Sequence, residues 1–316
     1  MIALLSVCVL TSACRREADT ATPTATPNAD QSAANRIEAD VRQLADDRME
    51  GRETGTRGYQ MASVYVARRY EQIGLQPAGD GGSWFQRVPL LQAVREENGA
   101  RFAVIRTGKT TELRFREQYL PAANYNAAAH ALEAPAVFVG QGVHAPELQH
   151  DDFKGLDVRG RIAVLFSGAP ARFDNDRRAF YSSSREKLRA LVARGAVGVV
   201  FVNTAEDEAR NPWARGAANW DKPGMRLRGP DGTGIDTWPE LRAVASVSAG
   251  AADAVFAGSG RTAAQLFKDA TAGTLKGFAL PGTIALAGRT RITPVESRNV
   301  VGKLIGSDAV LGAEHL

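Results

Sequence analysis

The residues most able to do chemistry in this chain gather between positions 144 and 152. His144, Glu147, His150, Asp151 and Asp152 supply imidazole and carboxylate, donor types that suit Zn²⁺. Their spacing argues against a shared ion. No two histidines stand four residues apart, and Ala145-Pro146 interrupts any helix that would aim them to one side. The expectation is a polar loop without a metal. His130 and His315 complete the four histidines of the chain, and none belongs to a His-Glu-x-x-His pair. A Gly-x-Ser-x-Gly elbow and a Walker loop are also missing from the sequence. The two cysteines are Cys8 and Cys14, so the body beyond them holds no disulfide, Cys-rich zinc knot or catalytic thiol.

Composition sets few further limits. The chain has 316 residues, 44% hydrophobic and 23% charged, enough apolar material for one large domain or two ordinary ones. Its 39 basic and 35 acidic residues leave +4, and the basic ones are scattered, so no nucleic-acid footprint is indicated.

Residues 2–13 form an apolar run too short to cross a bilayer as a helix but of signal-peptide length. They end in Thr11-Ser12-Ala13-Cys14, which resembles the bacterial lipobox. The resemblance implies lipidation at Cys14 and a place in the bacterial cell envelope, lipid-anchored or periplasmic/secreted. Two acyl chains, at about 0.8 kcal/mol per methylene, hold such an anchor. The other reading is a plain secretory leader. Residues 15–34 carry Thr22-Pro23-Thr24-Ala25-Thr26-Pro27 without apolar periodicity and read as a disordered tether.

The elements that follow are legible from periodicity. Ile37, Val41 and Leu44 mark a first helix; Ala62, Val66, Tyr70 and Ile73 mark a second, with Gly74 placed for a left-handed terminus. Between them lies Glu50-Gly51-Arg52-Glu53-Thr54-Gly55-Thr56; after them come Gly74-Leu75-Gln76-Pro77-Ala78-Gly79 and a strand beginning Trp84-Phe85-Gln86. In this order the pieces resemble the N-terminal signature of metallopeptidase family 28, the zinc aminopeptidase-like exopeptidases. The resemblance implies an architectural role for Glu50, Gly51, Arg52, Thr54 and Gly55, not a catalytic one.

From residue 134 the texture changes. Strands are expected at 136–139, 162–166 and 197–202, and a capping box at Ser183-x-x-Glu186 opens a helix that Gly195 ends. Further on, a strand is expected at 244–248, helices at 251–256 and 263–270, and strands at 278–281 and 283–286. Gly155-Leu156-Asp157-Val158-Arg159-Gly160 and Gly195-Ala196-Val197-Gly198-Val199-Val200-Phe201-Val202-Asn203 resemble the protease-associated (PA) domain inserted in many members of the same family. That domain is implied to be a lid or interaction module. Residues 210–238, with Trp213, Trp220 and Pro223, read as a long loop, either shaping a cleft or standing in solvent.

Ser297-Arg298-Asn299-Val300-Val301-Gly302 resembles the family strand that returns the chain to the peptidase domain, with Asn299 a structural motif position. The expected fold is α/β overall, α+β in this stretch: the N-terminal helices and first strands of a di-zinc exopeptidase domain, interrupted by a β-rich PA domain. The expected organisation is 1–14 leader with lipobox, 15–34 tether, 35–130 N-terminal part of the peptidase-type domain, 131–275 PA domain, and 276–316 return strands. The family implies two zinc ions and peptide substrates. Its metal ligands are expected beyond residue 316, with His315 a strand residue, so this chain is expected to bind no zinc and to be inactive alone. The alternative is a non-catalytic envelope lipoprotein that binds peptides or proteins through the PA domain.

Overall fold

The structure, a computed structural model, describes residues 29–308 and 311–314. Cys14 and His315 therefore lie outside the described residues. The chain divides into two compact units, Met1–Ala62 and Ser63–Leu316.

In the first unit, α1 (Ala29–Ala45) covers the expected first helix. A 3-10 segment, Asp47–Arg52, follows, and α2 (Arg57–Gln72) begins here and continues into the second unit. Gly58 is required in its first turn: a Cβ there would stand 1.9 Å from the Met49 carbonyl oxygen.

The second unit is built on one nine-stranded sheet. After β1 (Gln76–Pro77) come β2 (Phe85–Arg106), β3 (Lys109–Glu112), β4 (Tyr119–Pro121) and β5 (Ala129–Phe138). Next are the small ladder β6 (His144–Ala145) and β7 (His150–Asp151), then β8 (Ile162–Phe166) and β9 (Gly198–Val202). The last strands are β10 (Gly224–Leu227), β11 (Ala243–Val247), β12 (Phe278–Val300) and β13 (Gly302–Lys303). The large sheet runs β10-β2-β12-β5-β8-β9-β11-β4, with β3 against β2. Its centre, β5-β8-β9-β11, is parallel, and the pairs on either side are antiparallel.

Parallel strands need cover on both faces, and the sequence provides it. Every residue of β8 is buried. Ile162, Val164 and Phe166 face a core shared with α7 (Ala252–Phe256) and α8 (Ala263–Ala272). Ala163 and Leu165 face the opposite core, which contains Leu191 of α4 (Ser184–Val192). Phe138 is the hub of the first core, with ring centroids 5.0 Å from Phe166, 5.2 Å from Phe256 and 5.3 Å from Phe278, within the range of favourable edge and tilted ring pairs. Helix and strand each make up about a third of the described residues, 32% and 33%, so the mixed α/β class is met.

Several expectations are corrected. The expected strands at 278–281 and 283–286 belong to one strand, β12, whose pairing with β5 shifts register between Ala279 and Thr283. Residues 210–238 are not a structureless loop: they carry α6 (Trp213–Ala218) and β10, and Trp213 Nε1 donates to the Arg116 carbonyl at 2.7 Å. The expected capping box at Ser183 does not form. Ser183 makes no capping hydrogen bond, and Glu186 pairs instead with Arg189.

Candidate functional site

The carboxyl ends of parallel strands are where open α/β sheets collect ligands, because the loops that leave them diverge. Here the segments that leave β5, β8 and β9 carry Gln141, Ser167-Gly168 and Thr204. Those residues line a crevice of about 880 Å³. Its remaining walls are α3 (Asn175–Ser182), α5 (Ala205–Arg210) and α8. Phe166, Ala169 and Phe267 give an apolar floor, while Arg178, Lys268 and Arg210 stand around it. Arg210 is held by Glu206 at 3.5 Å and Asp207 at 3.1 Å.

Behind this crevice one buried cation ties the loops together. Lys187, on the inward face of α4, is 2% exposed. Its Nζ donates to the carbonyls of Gln141 at 2.5 Å and Gly168 at 2.6 Å. Burial pulls its pKa from 10.5 down to about 8, against the opposing pull of the nearby Asp152 charge. Asp152 braces the same loop from the other side, its Oδ2 accepting from the backbone N–H groups of Gln141 at 3.1 Å and Val143 at 3.0 Å. Gly140 and Gly142 take positive φ in this turn, which lets two successive carbonyl–amide directions be satisfied without a Cβ clash.

The residues between 144 and 152 separate into pairs. His144 Nδ1 lies 3.2 Å from Asp151 Oδ1, and His150 Nε2 lies 3.0 Å from Asp152 Oδ1. The second approach is off the N–H direction, since His150 Nε2 is buried without a hydrogen bond. Burial would raise Asp151, but the Phe153 N–H and His144 outweigh it and hold its carboxyl below the usual range. Glu147 accepts from the Tyr181 hydroxyl, which holds its carboxyl low as well. Among the described residues no three His, Cys, Asp or Glu side chains converge as a metal site would need. A resident zinc therefore does not fit the described residues.

The motif positions fall in two places. Glu50, Gly51 and Arg52 all lie in the left-handed region, at φ 50°, 73° and 56°. Two of those three are non-glycine, so the turn is conformationally demanding. Glu50 faces Arg57 at 3.6 Å, both well exposed, a contact worth about 0–1 kcal/mol. Thr54 and Gly55 lead into α2, where Thr56 Oγ1 donates to the Glu53 carbonyl at 2.7 Å and accepts from Tyr59 N–H at 3.3 Å.

Asn299 lies in the second unit, in a knot made by sequence-distant segments. Phe85 pairs with Val300 and Gln86 with Asn299, and Asn299 Nδ2 donates to Gln86 Oε1 at 3.0 Å. β1 pairs with β13 alongside. A Cβ on Gly302 would sit 2.9 Å from Tyr70 and 3.2 Å from both Leu75 and Trp84. Gly79 is tighter still, with a virtual Cβ 2.4 Å from the Phe85 carbonyl oxygen.

Lys187 was not singled out from sequence. The signal was present: it stands four residues before Leu191, on the apolar stripe of an otherwise polar helix, where an unpaired lysine is out of place.

No family model matches this chain, and no curated protein matches it. Among solved structures it is similar to a zinc aminopeptidase from Bacillus subtilis, at 16% identity and a TM-score of 0.31. The match covers 86% of this chain and 48% of that one, so the chain spans about half the length of that structure.

Proposed function

We propose that this chain belongs to an exported zinc exopeptidase of the metallopeptidase 28 type, and that residues 131–275 are its inserted, non-catalytic PA module. The observation that supports this most is the knot. An insertion must begin and end at neighbouring points of the host fold. The motif stretch at 74–86 and the motif stretch at 297–302, more than 200 residues apart, are paired strand to strand. In this reading the long β2/β12 ribbon carries the chain out to the module and back.

Zinc and the hydrolytic groups are supplied by residues outside the described ones, and peptides are the substrates. The leader places the protein in the cell envelope, held through lipid on Cys14. The test is hydrolysis of aminoacyl-p-nitroanilides by the protein purified from the cells that encode it. Release of nitroaniline that a chelator abolishes and zinc restores is expected. A native protein with no such activity would remove the exopeptidase reading.

A second reading is favoured by the crevice, whose apolar floor and cationic surround suit a peptide. In that case the protein is a non-catalytic envelope lipoprotein that binds peptides through the same module.

A further inference from the structure

A second cavity lies at the amino ends of the parallel strands, away from the crevice. Its volume is about 120 Å³, and Tyr125, Leu188, Trp238, Leu241 and Val244 wall it. The side closed by Trp238 is a strap, residues 235–238, held in an unfavourable backbone conformation. Asp236 and Trp238 both take positive φ, 56° and 39°. For a bulky L-residue this is an outlier, and such conformations persist only where surrounding contacts enforce them, commonly at ligand clamps.

The enforcing contacts are visible. Thr237 Oγ1 donates to Asn126 Oδ1 at 2.8 Å, while Asn126 Nδ2 donates back to the Thr237 carbonyl at 2.8 Å. Asp236 pairs with Arg185 of α4 at 3.0 Å. The Trp238 carbonyl accepts from Leu241 N–H at 3.1 Å.

Several polar groups around the opening are occupied. Asn124 Oδ1 accepts from the N–H groups of Asn126 and Ala127, and its Nδ2 donates to the Arg242 carbonyl. The Arg226 guanidinium lies over the Tyr125 ring, 5.1 Å from its centroid. His130 also lines the space; its Nδ1 is buried without a hydrogen bond, and burial disfavours the ring as a cation. What remains toward the space is mostly ring face and aliphatic carbon. An apolar cavity of about 150 Å³ holds benzene, so this one suits a single six-membered ring and is too small for an indole.

We propose that this cavity is a subsite for one benzene-sized apolar ring, brought by a free small aromatic molecule or by a phenylalanine side chain of a peptide, and closed by the strap over Trp238. The subsite is independent of the zinc reading.

The experiment titrates the 316-residue chain, labelled at its tryptophan indoles, with toluene and separately with N-acetyl-phenylalanine amide. A Trp238→Phe variant identifies the Trp238 resonance. A saturable shift of that resonance at about millimolar ligand, with Trp84, Trp213 and Trp220 unmoved, is expected. Val244→Phe fills the space from β11 and should weaken binding at least about tenfold. Ala122→Leu fills it from the neighbouring segment after β4, whose N–H donates to the Val244 carbonyl at 2.8 Å, if V244F does not fold. Saturation by both ligands supports a peptide side chain as the source, and saturation by toluene alone supports a free aromatic. No saturable shift with either, or a shift that both filling variants leave unchanged, overturns the subsite.

Discussion

Lys187 concentrates at one residue what the crevice depends on. Its ammonium is almost fully enclosed, yet it holds the loops after β5 and β8 by two carbonyls. A buried amine costs desolvation, and the cost appears as a lowered proton affinity. Unfolded Lys187 keeps its proton up to about pH 10.5, whereas the folded form releases it at about 8. Between those values the unfolded chain binds more protons, so this group makes stability rise with pH. The gap, at about 1.4 kcal/mol per tenfold in proton affinity, is on the order of 3 kcal/mol. Urea melts of wild type and Lys187→Met from pH 7 to 10.5 should show wild type gaining on the variant by roughly that amount. A difference that stays flat with pH would mean that the folded amine keeps its proton as long as the unfolded one, so that burial does not lower its proton affinity. Sequence reading passed over this residue because a lysine among Arg185, Arg189 and Arg194 resembles any solvated helix face. Only the register with Leu191 distinguishes it.

Among the elements, what could be read from sequence was whatever rests on local periodicity. β8 is found at the expected 162–166, and β9 and β11 each start within one residue of expectation, because continuous β-branched and aromatic runs have few other places to be buried. Helix caps were less legible, since they depend on which side chain reaches which amide. The Ser183/Glu186 spacing fits a capping box, but Glu186 is taken by Arg189. The boxes that do form are Thr204 with Asp207 at the start of α5 and Thr262 with Gln265 at the start of α8. Thr262→Ala should therefore cost about 1 kcal/mol, and Ser183→Ala should fall within about 0.5 kcal/mol of wild type. Chemical denaturation of the two variants side by side checks this, and equal losses would contradict the assignment. The helix α6 and strand β10 were missed for a different reason. Both are too short to show a period, six and four residues, and β10 owes its existence to pairing with β2, a tertiary contact that no local pattern announces.

At the scale of the molecule, the second unit is organised by strands that close on each other over long sequence distances. β2 and β12 pair from Phe85/Val300 to Ile105/Thr283 with one shift between Ala287 and Arg289. The motif residues at one end of this ribbon were legible in order, and their meeting in space was implied only through the family resemblance. The crevice and the ring-sized cavity were not legible, because each is assembled from four or more separate elements. His144 and His150 were legible as residues and not as a site, and the structure sets each against a single carboxylate. In the proposed reading the described residues bind peptide, and the zinc ligands lie outside them. The most direct measurement is zinc bound per chain, by elemental analysis of the purified 316-residue protein after equilibration with zinc and gel filtration. The account predicts well below one tightly held ion per chain and no aminoacyl-anilide cleavage. One or two retained zinc ions accompanied by cleavage would contradict it, and would place the hydrolytic site within this chain.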